Sequence, residues 1–131
     1  MIVVDSSARI ELLRGHGTAV ASKLKAFVQQ QDDQLLVGDI ILLELLQGAR
    51  DDRQAAGLER DLRRYQVISM LDPDLAVRAA SNYRILRQKG VTIRKTADLI
   101  IGTYCLERGH QLLHNDRDFD PMVTHLGLQA A

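Results

Sequence analysis

The chain has 131 residues, 46% of them hydrophobic and 26% charged, which fits one soluble globular domain around one core. No apolar run approaches the roughly 20 residues of a membrane span, and no basic leader precedes Ile2-Val3-Val4, so neither a membrane-embedded nor an exported chain is expected. A formal net charge of zero disfavours a binder driven by bulk positive charge, although a zero total can hide a basic rim around an acidic pit; a single cysteine excludes an internal disulfide and fits a reducing cytoplasm.

Ile2–Asp5 is predicted as a short buried strand, apolar up to its last residue and rich in β-branched side chains. Ser6 and Ser7 are suited to cap a helix over Ala8–Arg14, which Gly15-His16-Gly17 breaks. Thr18–Gln31 carries Val20, Leu24, Phe27 and Val28 on one helical face. After a turn at Asp32-Asp33, Leu35-Leu36-Val37 reads as a second buried strand, and Asp39 as the cap of a helix Ile40–Gln47 stopped by Gly48. Asp51–Tyr65 is a charged helix with Leu58 and Leu62 inward, followed by a strand Val67-Ile68-Ser69. Pro73 opens the long helix Asp74–Lys89, ended by Gly90. Thr96 caps Ala97–Arg108, ended by Gly109, with Cys105 as a small core residue. Gln111-Leu112-Leu113 is a fourth strand; Phe119–His125 is a loop with a helical turn, and Gly127-Leu128 a short final strand. All-apolar strands alternating with helices imply a parallel sheet covered on both faces. The expected fold is therefore a three-layer α/β/α sandwich with a central parallel sheet of four to five strands, and the expected organisation is a single domain over residues 1–131.

Within this pattern five carboxylates stand where carboxylates are costly. Asp5 ends the first apolar strand, Glu44 sits inside Ile40-Ile41-Leu42-Leu43-Glu44-Leu45-Leu46, Asp98 opens Leu99-Ile100-Ile101, and Asp116 and Asp118 follow Leu112-Leu113. A buried carboxylate costs several kcal/mol unless it is paired or holds a metal. Singly, Asp5 reads equally well as a helix cap, Asp98 as a first-turn acid favoured by the helix dipole, and Asp116 and Asp118 as turn residues. Glu44 resists such readings, because Ile40, Ile41, Leu43 and Leu45 surround it with apolar side chains; a core-facing arginine is its alternative partner. In open parallel sheets ligands bind outside the carboxyl ends of the strands. If the first and fourth strands are neighbours, Asp5, Glu44, Asp98 and Asp116 face one crevice there. Converging carboxylates need a cation. Mg²⁺ takes hard oxygen ligands at about 2.0–2.1 Å and keeps several waters, and carboxylate-bound Mg²⁺ or Mn²⁺ suits phosphodiester hydrolysis. No Cys or His pair has the spacing of a structural zinc site.

Four segments then carry a resemblance: Met1-Ile2-Val3-Val4-Asp5-Ser6-Ser7, Leu43-Glu44-Leu45-Leu46-Gln47-Gly48, Thr96-Ala97-Asp98-Leu99-Ile100-Ile101, and Leu112-Leu113-His114-Asn115-Asp116-Arg117-Asp118-Phe119. In order and in spacing they resemble the PIN-domain family, in particular its VapC-type toxins from bacterial toxin–antitoxin pairs. The resemblance spans nearly the whole chain. It implies a Mg²⁺-dependent endoribonuclease, with Mn²⁺ able to substitute, in which Asp5, Glu44, Asp98 and Asp116 form the acidic quartet and Asp5, Asp98 and Asp116 hold the metal. It makes Asp118 an auxiliary acid and gives the Ser7 hydroxyl to the metal's water shell. It also implies a homodimer held inactive by a VapB-type antitoxin, in higher hetero-oligomers with it, and a cytoplasmic location without a membrane partner.

Several residues stand beside this pattern. His114 occupies a position where many relatives have Thr or Ser, so it either touches substrate or fills space. Arg94 and Lys95 could hold RNA phosphates or an antitoxin acid, or form a solvated face, and Arg117 could screen the acids on either side of it. His16, His110 and His125 receive no catalytic role, and Tyr65, Tyr83 and Tyr104 read as core or interface; with 4% aromatics, binding of single strands by stacking is not expected. Three rivals remain from the residues alone: a phosphoryl-transfer α/β domain with Asp5 as acceptor, a PIN-like binding module with a dead site, and a non-toxin PIN nuclease of RNA processing. Ser7, where an aspartyl phosphatase needs a second acid, counts against the first, and the complete set of acids against the second.

Overall fold

A computed structural model describes residues 1–15, 17–30 and 32–131. Strand β1 (Ile2–Val4) runs into helix α1 (Ser6–Arg14), and helix α2 (Ala19–Gln30) leads through a 3₁₀ turn to β2 (Leu35–Gly38). Helices α3 (Asp39–Gln47) and α4 (Asp52–Leu62) precede β3 (Gln66–Ile68). The long helices α5 (Pro73–Gln88) and α6 (Thr96–Arg108) follow, then β4 (Gln111–Leu113), a second 3₁₀ turn and α7 (Asp120–Leu126). His16 and Gln31, expected as a helix break and a helix end, lie outside the described residues.

All strand pairs are parallel, in the order β3-β2-β1-β4. β1 and β4 are therefore neighbours, with Val4 opposite Leu113. Because side chains alternate across a strand, Val3, Leu36 and Leu112 join one core layer, while Ile2, Val4, Leu35 and Leu113 join the other. The first layer packs on α5, α6, the second 3₁₀ turn and α7 through Leu86, Ile101, Phe119 and Met122; the second packs on α1 and α2 through Ala8 and Leu24. This is the expected three-layer sandwich, with four strands. The fifth strand expected at Gly127-Leu128 does not form. The chain instead makes an isolated parallel bridge between Leu112 and Ala130, because Gly127 ends α7 in the left-handed region and redirects the backbone beside β4.

The helix starts also differ from expectation. Asp5, not Ser6 or Ser7, is the N-cap of α1: its backbone is extended and its side chain accepts from the Ser7 N–H. Asp39 lies inside the first turn of α3 rather than before it, and its carboxylate reaches across to accept from the Met70 N–H at 3.2 Å. Lys95, not Thr96, is the cap residue of α6, without a side-chain cap hydrogen bond. At a fourth point, α5 and α6 are pinned by a buried hydrogen bond in which the Asn82 amide donates to the Thr103 hydroxyl at 3.1 Å.

Candidate active site

The crevice lies at the carboxyl edge of the sheet, where β1 and β4 end side by side. Asp5 is the first residue past β1 and is 3% exposed. Oδ2 does the capping work, accepting from the Ser7 N–H at 3.0 Å and the Ser7 hydroxyl at 2.5 Å. The Ser7 hydroxyl in turn accepts from the Asn115 N–H at 2.9 Å. Ser7 thus ties the end of β1 to the segment that follows β4, and its proton is committed to Asp5. Oδ1 of Asp5 is buried and has no hydrogen-bond partner among the described residues. The capping role and the site role weighed against each other in the sequence are therefore filled by different oxygens of one carboxylate.

Asp98 stands in the first turn of α6, 4% exposed, with a buried, unpartnered Oδ2. Glu44 is half-buried on α3, and its Oε1 is likewise buried without a partner. Its surroundings are less apolar than expected, because the helix turns Leu43 outward to 58% exposure and buries Ile41 and Leu45. Asp116 caps the 3₁₀ turn after β4 through Oδ1, which accepts from the Asp118 N–H at 2.9 Å. One oxygen from each of Asp98, Asp116 and Asp118 lies within 4.8 Å of the others.

The electrostatics follow from this crowding. Burial is the main cause that raises the Asp98 carboxyl from 3.8 to about 7; the charge on Asp5 adds to it, and Lys95 opposes it. Burial likewise lifts Asp5, against the two Ser7 hydrogen bonds that lower it. Glu44 is raised by burial and then by Asp5. Asp98 is raised by Asp5, Asp116 and Glu44, and Glu44 by Asp5 and Asp116, so the four acids expected to converge lie within electrostatic reach of one another.

The remaining candidates divide. Lys95 is 59% exposed and lies 3.5 Å from Asp116 Oδ2 and 4.0 Å from Asp118 Oδ2. Asp116 first, then Asp98, holds its ammonium above the usual lysine range. Arg94, one residue earlier, is exposed, and no hydrogen bond or ion pair among the described residues joins it to the acids. Arg117 is exposed, and among the described residues the close ion pairs to Asp116 and Asp118 are made by Lys95 from another element. His114 is half-buried, its ring against Phe119 at 5.0 Å, and Nδ1 accepts from the Asp116 N–H at 3.3 Å. In its neutral form the ring proton is therefore on Nε2. An open depression lined by His114, Asn115, Asp116, Arg117 and Asp120 adjoins the acids. Sequence reasoning missed two partnerships: the Ser7–Asn115 clasp and the Lys95 pairing. Both join residues far apart in the chain, and no local signal announces them.

A divalent cation fits this donor set. Buried oxygens of Asp5, Glu44 and Asp98 have no hydrogen-bond partner among the described residues, and oxygens of Asp98, Asp116 and Asp118 lie close enough together to share one hard cation.

Comparison with known proteins places the chain. The PIN domain family matches residues 2–122. The chain is 30% identical over 131 residues to VapC ribonuclease Mb1587 of Mycobacterium bovis, covering 100% of this chain and 98% of the relative. Identity and coverage are the same for ribonuclease VapC11 of Mycobacterium tuberculosis. Among solved structures, VapBC2 from Rickettsia felis bound to a DNA fragment from its promoter superimposes with a TM-score of 0.76 at 19% identity, covering 100% of this chain and 98% of the other, a likeness of fold. With the acids of all four motifs gathered at one sheet edge, and with relatives matched from end to end, the chain belongs to the PIN-domain family, among its VapC ribonucleases.

Proposed function

We propose that this chain is a divalent-metal-dependent endoribonuclease, the toxin of a type II toxin–antitoxin pair, which hydrolyses RNA phosphodiesters and so restrains translation and growth. We read residues 1–131 as a single PIN-like domain. The observation that carries the reading is the trio of buried, unpartnered oxygens on Asp5, Glu44 and Asp98, beside the half-exposed Asp116 and Asp118. Membership among proteins named VapC ribonucleases supports RNA as the substrate and a VapB-type antitoxin as the partner. None of the described helices is long and apolar enough to cross a membrane; the proposed setting is the cytoplasm, as a homodimer and in larger assemblies with antitoxin.

Asp5, Asp98 and Asp116 would hold the ion, Mg²⁺ by preference and Mn²⁺ as substitute, with Asp118 as an auxiliary acid. When bound, the ion offsets negative charge on the phosphate and lowers the pKa of water. The residues of the chain supply the rest. Ser7 fixes the rotamer of Asp5 by two hydrogen bonds to Oδ2, which leaves Oδ1 free for the site. Glu44, with its pKa raised by burial, is a stronger proton acceptor than an exposed carboxylate and orients or deprotonates the attacking water. Lys95 and Arg94 offer positive charge to RNA phosphates or to an antitoxin carboxylate, and His114 presents Nε2 at the adjoining depression.

The test is RNA cleavage by the purified protein with Mg²⁺. Asp5→Asn and Asp98→Asn are expected to abolish it while the fold persists, and EDTA to stop it until Mn²⁺ is added. Wild-type rates in either variant, or indifference to chelation, would overturn the reading.

A further inference from the structure

The acidic centre has to receive a polyanion, and carboxylates repel phosphates. Cations outside the centre therefore bear on how RNA reaches it. Between Asp74 and Asp98 the chain carries six cations and no acid, although acids and cations number 17 each over the whole chain. Two of the six are paired, Arg78 with Glu107 at 3.2 Å and Lys95 with Asp116 at 3.5 Å. The other four, Arg84, Arg87, Lys89 and Arg94, are exposed and make no ion pair among the described residues. Arg87 lies over the Tyr83 ring, 5.8 Å from its centroid, a contact that restrains the guanidinium without neutralising it.

The packing of α5 on α6 sets where these cations stand. Arg78 meets Glu107 and Asn82 meets Thr103, so the two helices run antiparallel. Continued along both helices, that register brings Arg87 level with Asp98 and Lys89 level with Thr96. Arg84 stands about 4.5 Å back along α5 from Arg87, and Arg94 immediately precedes the Lys95 cap of α6. A net charge of zero thus conceals a positive end of the α5–α6 pair beside the negative centre. The dipole of α5 favours Arg87 and Lys89, in and after its last turn, but it gives no reason for Arg84, a turn earlier, or for Arg94, beyond the helix.

We propose that Arg84, Arg87, Lys89 and Arg94 form a phosphate-binding strip that carries the RNA backbone along one side of the acidic centre. This deepens the nuclease reading and rests on it. Cations on an exposed helix end contact phosphates, which position a nucleic acid without reading its bases. Each phosphate neutralised releases counterions, so the affinity that the strip supplies falls as salt rises.

The experiment measures binding and cleavage separately. Binding of a fluorescently labelled single-stranded RNA is followed by anisotropy in EDTA over a range of salt, and cleavage of the same RNA is followed in Mg²⁺. The triple variant Arg84→Gln, Arg87→Gln, Lys89→Gln is compared with wild type and with Arg53→Gln, Arg60→Gln, Arg64→Gln, which removes the same charge from exposed positions on and after α4. Circular dichroism checks each fold. The strip variant should bind RNA about tenfold or more weaker at low salt, and its slope of log affinity against log salt should be shallower by about 2, at roughly 0.7 per lost phosphate contact. Its KM should rise by a similar factor, with kcat within about twofold of wild type. The α4 control should stay within about twofold throughout. A strip variant that matches wild type in affinity and KM overturns the proposal, as does a control that falls equally, since net charge would then be the cause. A strip variant that keeps its RNA affinity but loses binding to a polyglutamate peptide also overturns it and turns the strip towards an acidic protein. A wild type that neither binds nor cleaves RNA overturns the nuclease reading and this inference with it. Strip-dependent binding without cleavage leaves this inference standing and removes the nuclease reading instead.

Discussion

Two groups of buried polar side chains in this molecule have opposite character. Between α5 and α6, Asn82 and Thr103 are 9% and 0% exposed, and they satisfy one another with a hydrogen bond of 3.1 Å. At the carboxyl edge of the sheet, Asp5 and Asp98 are as deeply buried, and each keeps one oxygen unsatisfied. The first pair costs little and specifies how two helices dock. The second group is held in place by the fold at an energetic loss that the folded chain does not itself recover. Burial is alike in these two groups, and what separates them is the completeness of their hydrogen bonding.

The sharpest way to break this comparison is to neutralise one acid. Asp98→Asn is expected to lower RNA cleavage by about 1,000-fold or more, since several kcal/mol of transition-state stabilisation is lost. At pH 8 without metal, the same change should raise the melting temperature, because a repelled, desolvated charge is removed. A variant that loses both activity and stability would place Asp98 with the structural polar groups.

The second test is pH. An acid whose pKa is raised by folding favours the native state fully below its unfolded pKa and loses that contribution as pH rises through the folded value. For Asp98 the window runs from 3.8 to about 7, and Asp5 and Glu44 move in the same direction. Metal-free protein should therefore be less stable at pH 8 than at pH 5, by about 3 kcal/mol from Asp98 alone, or roughly 10 °C in Tm. Mg²⁺ at about 100 times its Kd should restore roughly 2.7 kcal/mol at pH 8 and much less at pH 5, where the acid is protonated. Calorimetry across this range checks both signs; a Tm that climbs from pH 5 to pH 8 without metal would refute them.

On the other side of the comparison, Thr103→Val leaves the Asn82 amide buried without its acceptor and should cost about 1–3 kcal/mol in denaturant unfolding. Cleavage per folded molecule should stay within about twofold of wild type; a large loss would give this pair a functional role. The smallest effect is expected from Ser7→Ala, which frees the Asn115 N–H and one side of Asp5 Oδ2. About 1 kcal/mol of stability and at most about tenfold in Mn²⁺ affinity should be lost.

What the chain discloses before folding follows the same division. The strands were readable because Ile2-Val3-Val4, Leu35-Leu36-Val37 and Leu112-Leu113 are apolar without interruption, as strands covered on both faces must be. The acids were readable because a carboxylate against such a run has few cheap explanations. Helix starts were misread where two residues could cap: at Asp5-Ser6-Ser7 the carboxylate holds the extended cap position and the serine becomes its donor. The missing fifth strand and the outward turn of Leu43 depend on how α7 and α3 are set against the sheet, which local pattern does not encode. The pairing of Lys95 with Asp116 was hidden for the same reason. Arg117 was the nearer cation in sequence, yet among the described residues the ion pairs to Asp116 and Asp118 come from Lys95.

The order of strands has a consequence for synthesis. β1 and β4 are adjacent in the sheet but come from opposite ends of the chain, and the Ser7–Asn115 clasp joins them. A polypeptide growing on a ribosome makes Asp5 long before it makes Asp116. Until β4 has emerged and docked, the acids have no common crevice, so a nascent or prematurely terminated chain lacks a complete centre.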